Sequence, residues 1–578
     1  MRNPDDSADA VPVRRPAPAP RPGRSWRRDL LMLTLFFGAL YLFAAGRLTL
    51  KNPDEPRYAG IAREMVATGD WVTPRLNDTR YFEKPPLVPW LVALSRLAFG
   101  PGETAARLPP VVFGVGGVLL AYALGRRLFG RGAGLAAAVV LGTSLLYFAL
   151  SWILLLDMVL AVTQSAALFC FLLGVREPPG LRRRGFFLAL YASAALATLS
   201  KGLIGFLLPG AIMFLWLLAF NQWHRLRPLY LPSGCAVFLL IAAPWHLLVA
   251  QRNPEWAQFY FGHEHWARFT TTVHGRAEPF WYFIPVLIVG LFPWIGFLPP
   301  AVHEAVRGGW ARRKENAEAW FLVLWAGFVF LFFSRSQSKL IPYLLPAFPP
   351  LAVLIGAWLA RRWAEGAAAR LRAGLGVFGF ACGLLGVAFL AAVFRPGIVR
   401  DPEQMAALRP FGVALATVLF LGGVAAPWAA KVRGVVAGVG TVLGTMVGFY
   451  LVTMMAGPGW QRASTKDLAL VARERIAPGD RVYHYWGFFH DFVYYAERPV
   501  GLVNYTDELE VQFLDPAVKA ERFIDDAELR RQWAGPTRVW LVVRTRSQSV
   551  PESVFADPAF RHHVIAESRT HQLVSNRP

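Results

Sequence analysis

Thirteen long apolar runs constrain this chain more than any other feature. They fall near 30–47, 107–125, 132–150, 153–174, 186–200, 203–220, 232–250, 280–300, 319–334, 340–360, 373–394, 411–429 and 434–456. A membrane-crossing helix needs about 20 mostly apolar residues, and lipid leaves every backbone N–H and C=O to be satisfied within the span. The pattern therefore predicts a polytopic α-helical membrane protein with about 13 transmembrane helices. Composition agrees, at 55% hydrophobic and 17% charged, where a soluble domain has about 25% charged residues. Cys170, Cys235 and Cys382 each sit inside an apolar run, so neither a disulfide framework nor a CxxC metal site is expected.

The net charge of +22 invites a nucleic-acid partner until the charges are located. With the basic N-terminus in the cytoplasm, the loops returning to that side carry Arg126/Arg127/Arg131, Arg182/Arg183/Arg184, Arg312/Arg313/Lys314, Arg361/Arg362 and Lys431/Arg433. The short opposite loops carry almost none. This is the positive-inside bias, and no nucleic acid is called for. Residues 1–29 read as a basic, Pro-rich arm, 30–456 as the membrane domain, and 457–578 as a tail on the far side. Loops 48–106 and 251–279 share that side. In the tail, "RVYHYWGFFHDFVYYAE" and "RVWLVVRT" are aromatic and β-branched runs, with helical stretches near 464–476 and 517–534. These predict a small α/β domain.

Ionisable residues at membrane depth are expensive and mark function by default. Asp157 lies about one turn inside the fourth span. Asp54 and Glu55 follow the first span, and from Arg57 and Tyr58 an amphipathic helix is predicted to lie flat in the interface. Glu83 and Lys84 precede a double proline. Lys201 separates the fifth and sixth spans, and Arg335, Lys339 and Tyr343 stand at the mouth of the tenth. His263, His265, Arg268 and His274 cluster in one loop. Each has a structural reading beside the functional one: a capping carboxylate, a polar turn, an interfacial ion pair, exposed loop histidines. Together, carboxylates and cations at one membrane face suit a phosphate-bearing lipid. No P-loop, GxGxxG or GxSxG stands in a strand–helix context.

The stretch "NPDEPRYAGIAREMVATGDWVTPRLNDTRYFEKPPLVPW" resembles the first periplasmic loop of GT-C glycosyltransferases, the superfamily that includes protein O-mannosyltransferases. "DEPRY" followed by "YFEKPPL" is similar to the bacterial 4-amino-4-deoxy-L-arabinose lipid A transferases, and "LLLDMVL", "TLSKGLIGFLLPG", "GHEHWARF" and "SRSQSKLIPYLLPAFPPLA" continue the likeness in order. The resemblance implies an inner-membrane enzyme, with active site and tail periplasmic. It would take the sugar from undecaprenyl phosphate and place it on a lipid A phosphate, giving polymyxin resistance. The family's catalytic Asp falls on Asp54; beside it, charge and position make Asp157 and Glu83 further catalytic candidates, place Arg57, Lys84, Lys201, Arg268, Lys339 and Tyr343 around the donor phosphate, and leave Glu55 and Tyr58 as further loop candidates. Lys339 sits in "SRSQSKL" where the family has a small-residue and Lys-rich stretch. No obligatory cofactor is expected; a divalent metal, if bound, would use Glu83 with His263 or His265. A monomer is expected. The alternatives are a GT-C enzyme moving another polyprenyl-linked sugar to protein or glycan, and a lipid-linked sugar flippase. Polar residues gathered at one face, without a repeat, favour an enzyme over the flippase.

Overall fold

The computed structural model describes residues 25–267, 278–395, 401–461, 464–506, 509–545, 557 and 560–578. The chain is a multi-pass helical protein. Among the described residues nine helices are long and apolar enough to cross a membrane: Ser25–Ala45, Glu103–Phe129, Leu156–Gly174, Leu231–Arg252, Ala317–Arg335, Ile341–Ala364, Ala368–Phe394, Pro402–Arg433 and Val435–Trp460. The pair Phe280–Gly290 and Ile295–Ala305, bent by 105°, makes a tenth if counted as one span.

The remaining three apolar runs are helical but do not meet that standard. Leu181–Lys201 opens on the arginines at 182–184, and Ile204–Phe220 has 17 residues. The run at 132–150 divides at Ser144 into Arg131–Thr143 and Leu145–Leu150. This break and the bend near Pro293, which has no N–H to donate, meet each other: Leu145 N–H donates to the Phe292 carbonyl at 3.0 Å. Each interruption thus supplies a partner for backbone that the other leaves open.

The first far-side helix runs Asp54–Thr68, three residues earlier than its predicted start, and Glu55 to Met65 are buried. It does not lie flat in an interface. It packs against helix Leu87–Phe99 on one side and helix His490–Ala496 of the tail on the other. Its polar face is what the sequence reading misplaced. Arg63 donates to the Val493 carbonyl, and Glu64 accepts from the N–H groups of Asn77 at 2.8 Å and Asp78 at 3.0 Å. The amphipathic face meets protein, not headgroups.

The tail holds a six-stranded mixed sheet. In spatial order its strands are Phe523–Ile524, Gly501–Val503, Arg481–Tyr485, Val539–Arg544, His571–Ser575 and His563–Glu567. The first four run parallel, and His571–Ser575 pairs antiparallel with its neighbour on each side. The long aromatic run splits into a strand and helix His490–Ala496. The predicted helix at 517–534 splits into Pro516–Arg522 and Asp526–Trp533 around a short strand. Helix Lys466–Arg475 lies where expected.

Candidate active site

The site is built around a buried ion pair. Glu55 is 2% exposed and Arg107 is fully buried. Arg107 Nε and Nη2 donate to the two Glu55 oxygens, each at 2.7 Å. The same carboxylate accepts from Lys51 N–H and Leu154 N–H, both at 2.9 Å. Arg107 also donates to the carbonyls of Ala45, Leu48 and Thr49. A charge survives burial only when paired and hydrogen-bonded to capacity, and here both partners are. The hub joins the end of the first span, the loop after it, the start of helix Glu103–Phe129 and the turn before helix Leu156–Gly174. Glu55 is therefore saturated by structural bonds, whereas the neighbouring Asp54 keeps a half-exposed carboxylate.

Asp54 occupies the first turn of its helix with its side chain about half exposed (49%), 3.1 Å from Arg57 Nη1. Arg57 is buried and engages Asp54; the sequence reading had given it to the donor phosphate. Tyr58 lies in the field of both, and of Glu83 and Asp157. Burial pushes its phenol well above the ordinary value; Arg57 lowers it, while Asp54, Glu83 and Asp157 raise it further. Three carboxylates from three segments thus act electrostatically on one side chain.

Glu83 and Asp157 line a cavity of about 700 Å³ whose wall does not include Asp54, Arg57 or Tyr58; its volume is within the roughly 300–1,000 Å³ range of small-molecule sites. Its polar residues are Glu83, Lys84, Asp157, Gln164, Lys201, Ser336, Ser338 and Tyr343; most of the remaining wall is apolar, with Leu160, Leu207, Leu208, Ala211, Phe328 and Phe332. Asp157 lies in the first turn of helix Leu156–Gly174, nearer the end than predicted. Lys201 ends helix Leu181–Lys201, its ammonium 2.6 Å from Asp157 Oδ1 and 4.7 Å from the Tyr343 ring centre. Lys84 donates to the Glu83 carbonyl at 2.9 Å, with its ammonium 3.8 Å from the Glu83 carboxylate.

The structure does not bring every predicted residue here. Lys339 is buried, but its ammonium donates to the carbonyls of Glu278 at 2.8 Å and Ser336 at 2.6 Å, and it does not line the cavity. It fastens the mouth of the tenth span. Arg268 and His274 lie outside the described residues, as do the side chains of His263 and His265. Among the described residues no three His, Cys, Asp or Glu side chains form a group that could hold a metal ion. Two important residues escaped the sequence reading. Arg107 was counted as the edge of an apolar run and Asp491 as part of an aromatic one. The signal was present in both, since a lone charge in an apolar run points to a buried partner.

The dolichyl-phosphate-mannose-protein mannosyltransferase family matches residues 83–247. The chain is 34% identical over 373 residues to the undecaprenyl phosphate-alpha-4-amino-4-deoxy-L-arabinose arabinosyl transferase of Edwardsiella ictaluri, covering 64% of this chain and 66% of that one. It is 32% identical over 380 residues to the protein of that name from Yersinia pestis, covering 64% and 67%. The chain thus spans just under two thirds of the first relative's length, and 59% of its counterpart from Proteus mirabilis. The crystal structure of ArnT from Cupriavidus metallidurans bound to undecaprenyl phosphate superposes with a TM-score of 0.81 at 28% identity, covering 95% of this chain and 98% of that one.

Proposed function

The chain belongs to the undecaprenyl phosphate-alpha-4-amino-4-deoxy-L-arabinose arabinosyl transferase family, and on that premise we propose that it transfers 4-amino-4-deoxy-L-arabinose from undecaprenyl phosphate to a lipid A phosphate. The reaction takes place at the periplasmic face of the inner membrane. The added amine lowers surface negative charge and with it the binding of polymyxin and other cationic peptides. The observation that carries this reading is the cavity itself, apolar along most of its wall, with two lysines, two carboxylates and a tyrosine among its polar residues. A polyprenyl phosphate has the same division between chain and head.

In the proposed reaction an acceptor phosphate oxygen bonds to the anomeric carbon as the bond from that carbon to the donor phosphate oxygen breaks. Undecaprenyl phosphate leaves with the electron pair. Lys84 and Lys201, with the Tyr343 hydroxyl, hold the donor phosphate and stabilise the charge that grows on it. A phosphate monoester with a second pKa near 6 is largely ionised at neutral pH, so little base catalysis is needed. Asp54, held by Arg57, orients the acceptor, takes the proton of its monoprotonated fraction and faces the positive charge developing on the sugar ring. Glu83 and Asp157 are placed to receive the sugar's ammonium. All these groups come from one chain, which supports action as a monomer.

The test is a lipid A mass spectrum from a Gram-negative host that makes the donor but lacks its own transferase. Wild type is expected to add one aminoarabinose, and Asp54→Asn to add none at equal membrane abundance. Unmodified lipid A beside folded wild-type protein would defeat the substrate assignment.

A further inference from the structure

We propose that Asp491, in the tail, is a positioning residue for transfer. It holds Asn52, and through Asn52 it aims Asp54; this rests on the reading of Asp54 above. Asp491 is fully buried in the first turn of helix His490–Ala496. Its Oδ1 accepts from Asn52 Nδ2 at 2.5 Å, and its own backbone N–H donates to Asn52 Oδ1 at 3.0 Å. The Asn52 amide is therefore gripped at both ends by a residue 439 positions away in sequence. The second carboxylate oxygen accepts from Thr465 N–H at 2.7 Å and from the Ser464 hydroxyl at 3.3 Å, and Phe492 N–H reaches Oδ1 at 3.1 Å.

Two features turn this contact into a statement about catalysis. The first is what Asp54 lacks. Among the described residues its side chain bonds Arg57 alone, so its aim comes from the backbone that carries it. The second is how that backbone is held. On the membrane side, Lys51 N–H is tied to Glu55, which Arg107 anchors. On the tail side, Leu50 N–H donates to the Tyr495 hydroxyl at 3.0 Å, and Asn52 is taken by Asp491. Pro53 then leads into Asp54 with its φ fixed by the ring. The segment is clamped from both faces, and the tail supplies one jaw. A misplacement of about 1 Å in a reacting group costs about 100-fold in rate, so a two-bond clamp two residues from Asp54 acts at the scale that matters.

The chemistry of the pair allows an exchange test in the full chain, assayed with undecaprenyl-phosphate aminoarabinose and lipid A. Asp491→Asn must turn its new NH2 toward another donor, either Asn52 Nδ2 or Thr465 N–H. Asn52→Asp sets a second carboxylate against the first. The double exchange, Asn52→Asp with Asp491→Asn, restores both bonds between residues 52 and 491: the new carboxylate accepts from the new amide and from the N–H at 491, while the amide oxygen still accepts from Thr465 and only the Phe492 N–H loses its acceptor. Each single variant is expected to lower kcat about 100-fold with the donor KM unchanged, and the double exchange to recover wild-type kcat. Asn52→Ala serves as the second variant, because it deletes both cross-domain bonds and leaves those of Asp491 to Thr465, Ser464 and Phe492 intact. It is expected to lower the melting temperature by the loss of those two bonds, and to lose kcat at a temperature where the protein remains fully folded. Full-rate transfer by Asn52→Ala overturns the role of Asp491 alone, as does a kcat loss that only follows loss of folded protein. No transfer by wild type overturns the substrate reading and this role with it.

Discussion

Arg107 grips both oxygens of Glu55 at 2.7 Å, one residue along from Asp54, whose carboxylate is half exposed and bonded to Arg57. Two adjacent acids thus have opposite fates, and their substitutions should separate cleanly. Glu55→Ala leaves Arg107 buried and unpaired, which should cost about 3–5 kcal/mol of stability. Asp54→Asn keeps an amide oxygen to accept from Arg57 at a half-exposed position, so its cost should stay near about 1 kcal/mol. The expected result is a melting temperature near wild type and no transfer for Asp54→Asn, against a large drop in melting temperature for Glu55→Ala. Thermal melting of the detergent-solubilised protein, read beside the transfer assay, checks both.

Lys201 stands between Asp157 and Tyr343, so in the proposed reaction its charge would be shared between a carboxylate and the donor phosphate. Lys201→Met should weaken undecaprenyl phosphate binding by about tenfold, or about 1.4 kcal/mol. Asp157→Asn should not weaken it, because the competing negative charge is gone, yet transfer should slow. Equilibrium binding of undecaprenyl phosphate to the two variants decides the point. Equal weakening in both would mean that Asp157 holds the donor headgroup directly.

What the sequence made legible was whatever local periodicity or a charge out of place could mark. The apolar runs, the basic return loops and the acids at 54, 83 and 157 needed no knowledge of contacts. Hidden were the properties set by long-range pairing. The helix from Asp54 looked like an interfacial one because its polar face, Arg63 and Glu64, has partners that arrive from Asn77 and from the tail. Nothing local separates Asp54 from Glu55; the choice is made by Arg107, 52 residues on. Lys339 looked like a phosphate ligand by type and place, and its bonds to two carbonyls emerge only when the turn is folded.

The apolar wall of the cavity gives a prediction about chain length. Ala211 lies beside Leu207 and Leu208 on that wall, away from the lysines. Ala211→Trp should fill the groove that receives the polyprenyl tail. The KM for the full-length donor should rise, while a donor with a short prenyl chain, which does not reach Ala211, should be used as well as by wild type. Steady-state kinetics with the two donors is the measurement. Equal loss for both would place the polyprenyl chain elsewhere.

The tail carries a pH dependence of its own. Burial lowers His571 from its ordinary 6.5 to about 4, with Asp491 pulling it up and Arg544 pushing it down. Burial also takes His484 well below 6.5, helped by His571 and His490. A depressed histidine binds fewer protons folded than unfolded, so its contribution to stability is whole above the unfolded value near 6.5. It falls as pH drops toward the folded value and is lost below it. For His571 the full span is worth about 3 kcal/mol. The apparent melting temperature should therefore begin to fall below about pH 6.5, before ordinary carboxylates near pH 4 take up protons. His571→Gln should flatten the upper part of that slope and leave transfer at neutral pH intact. A melting temperature flat across that window would show that water reaches both imidazoles.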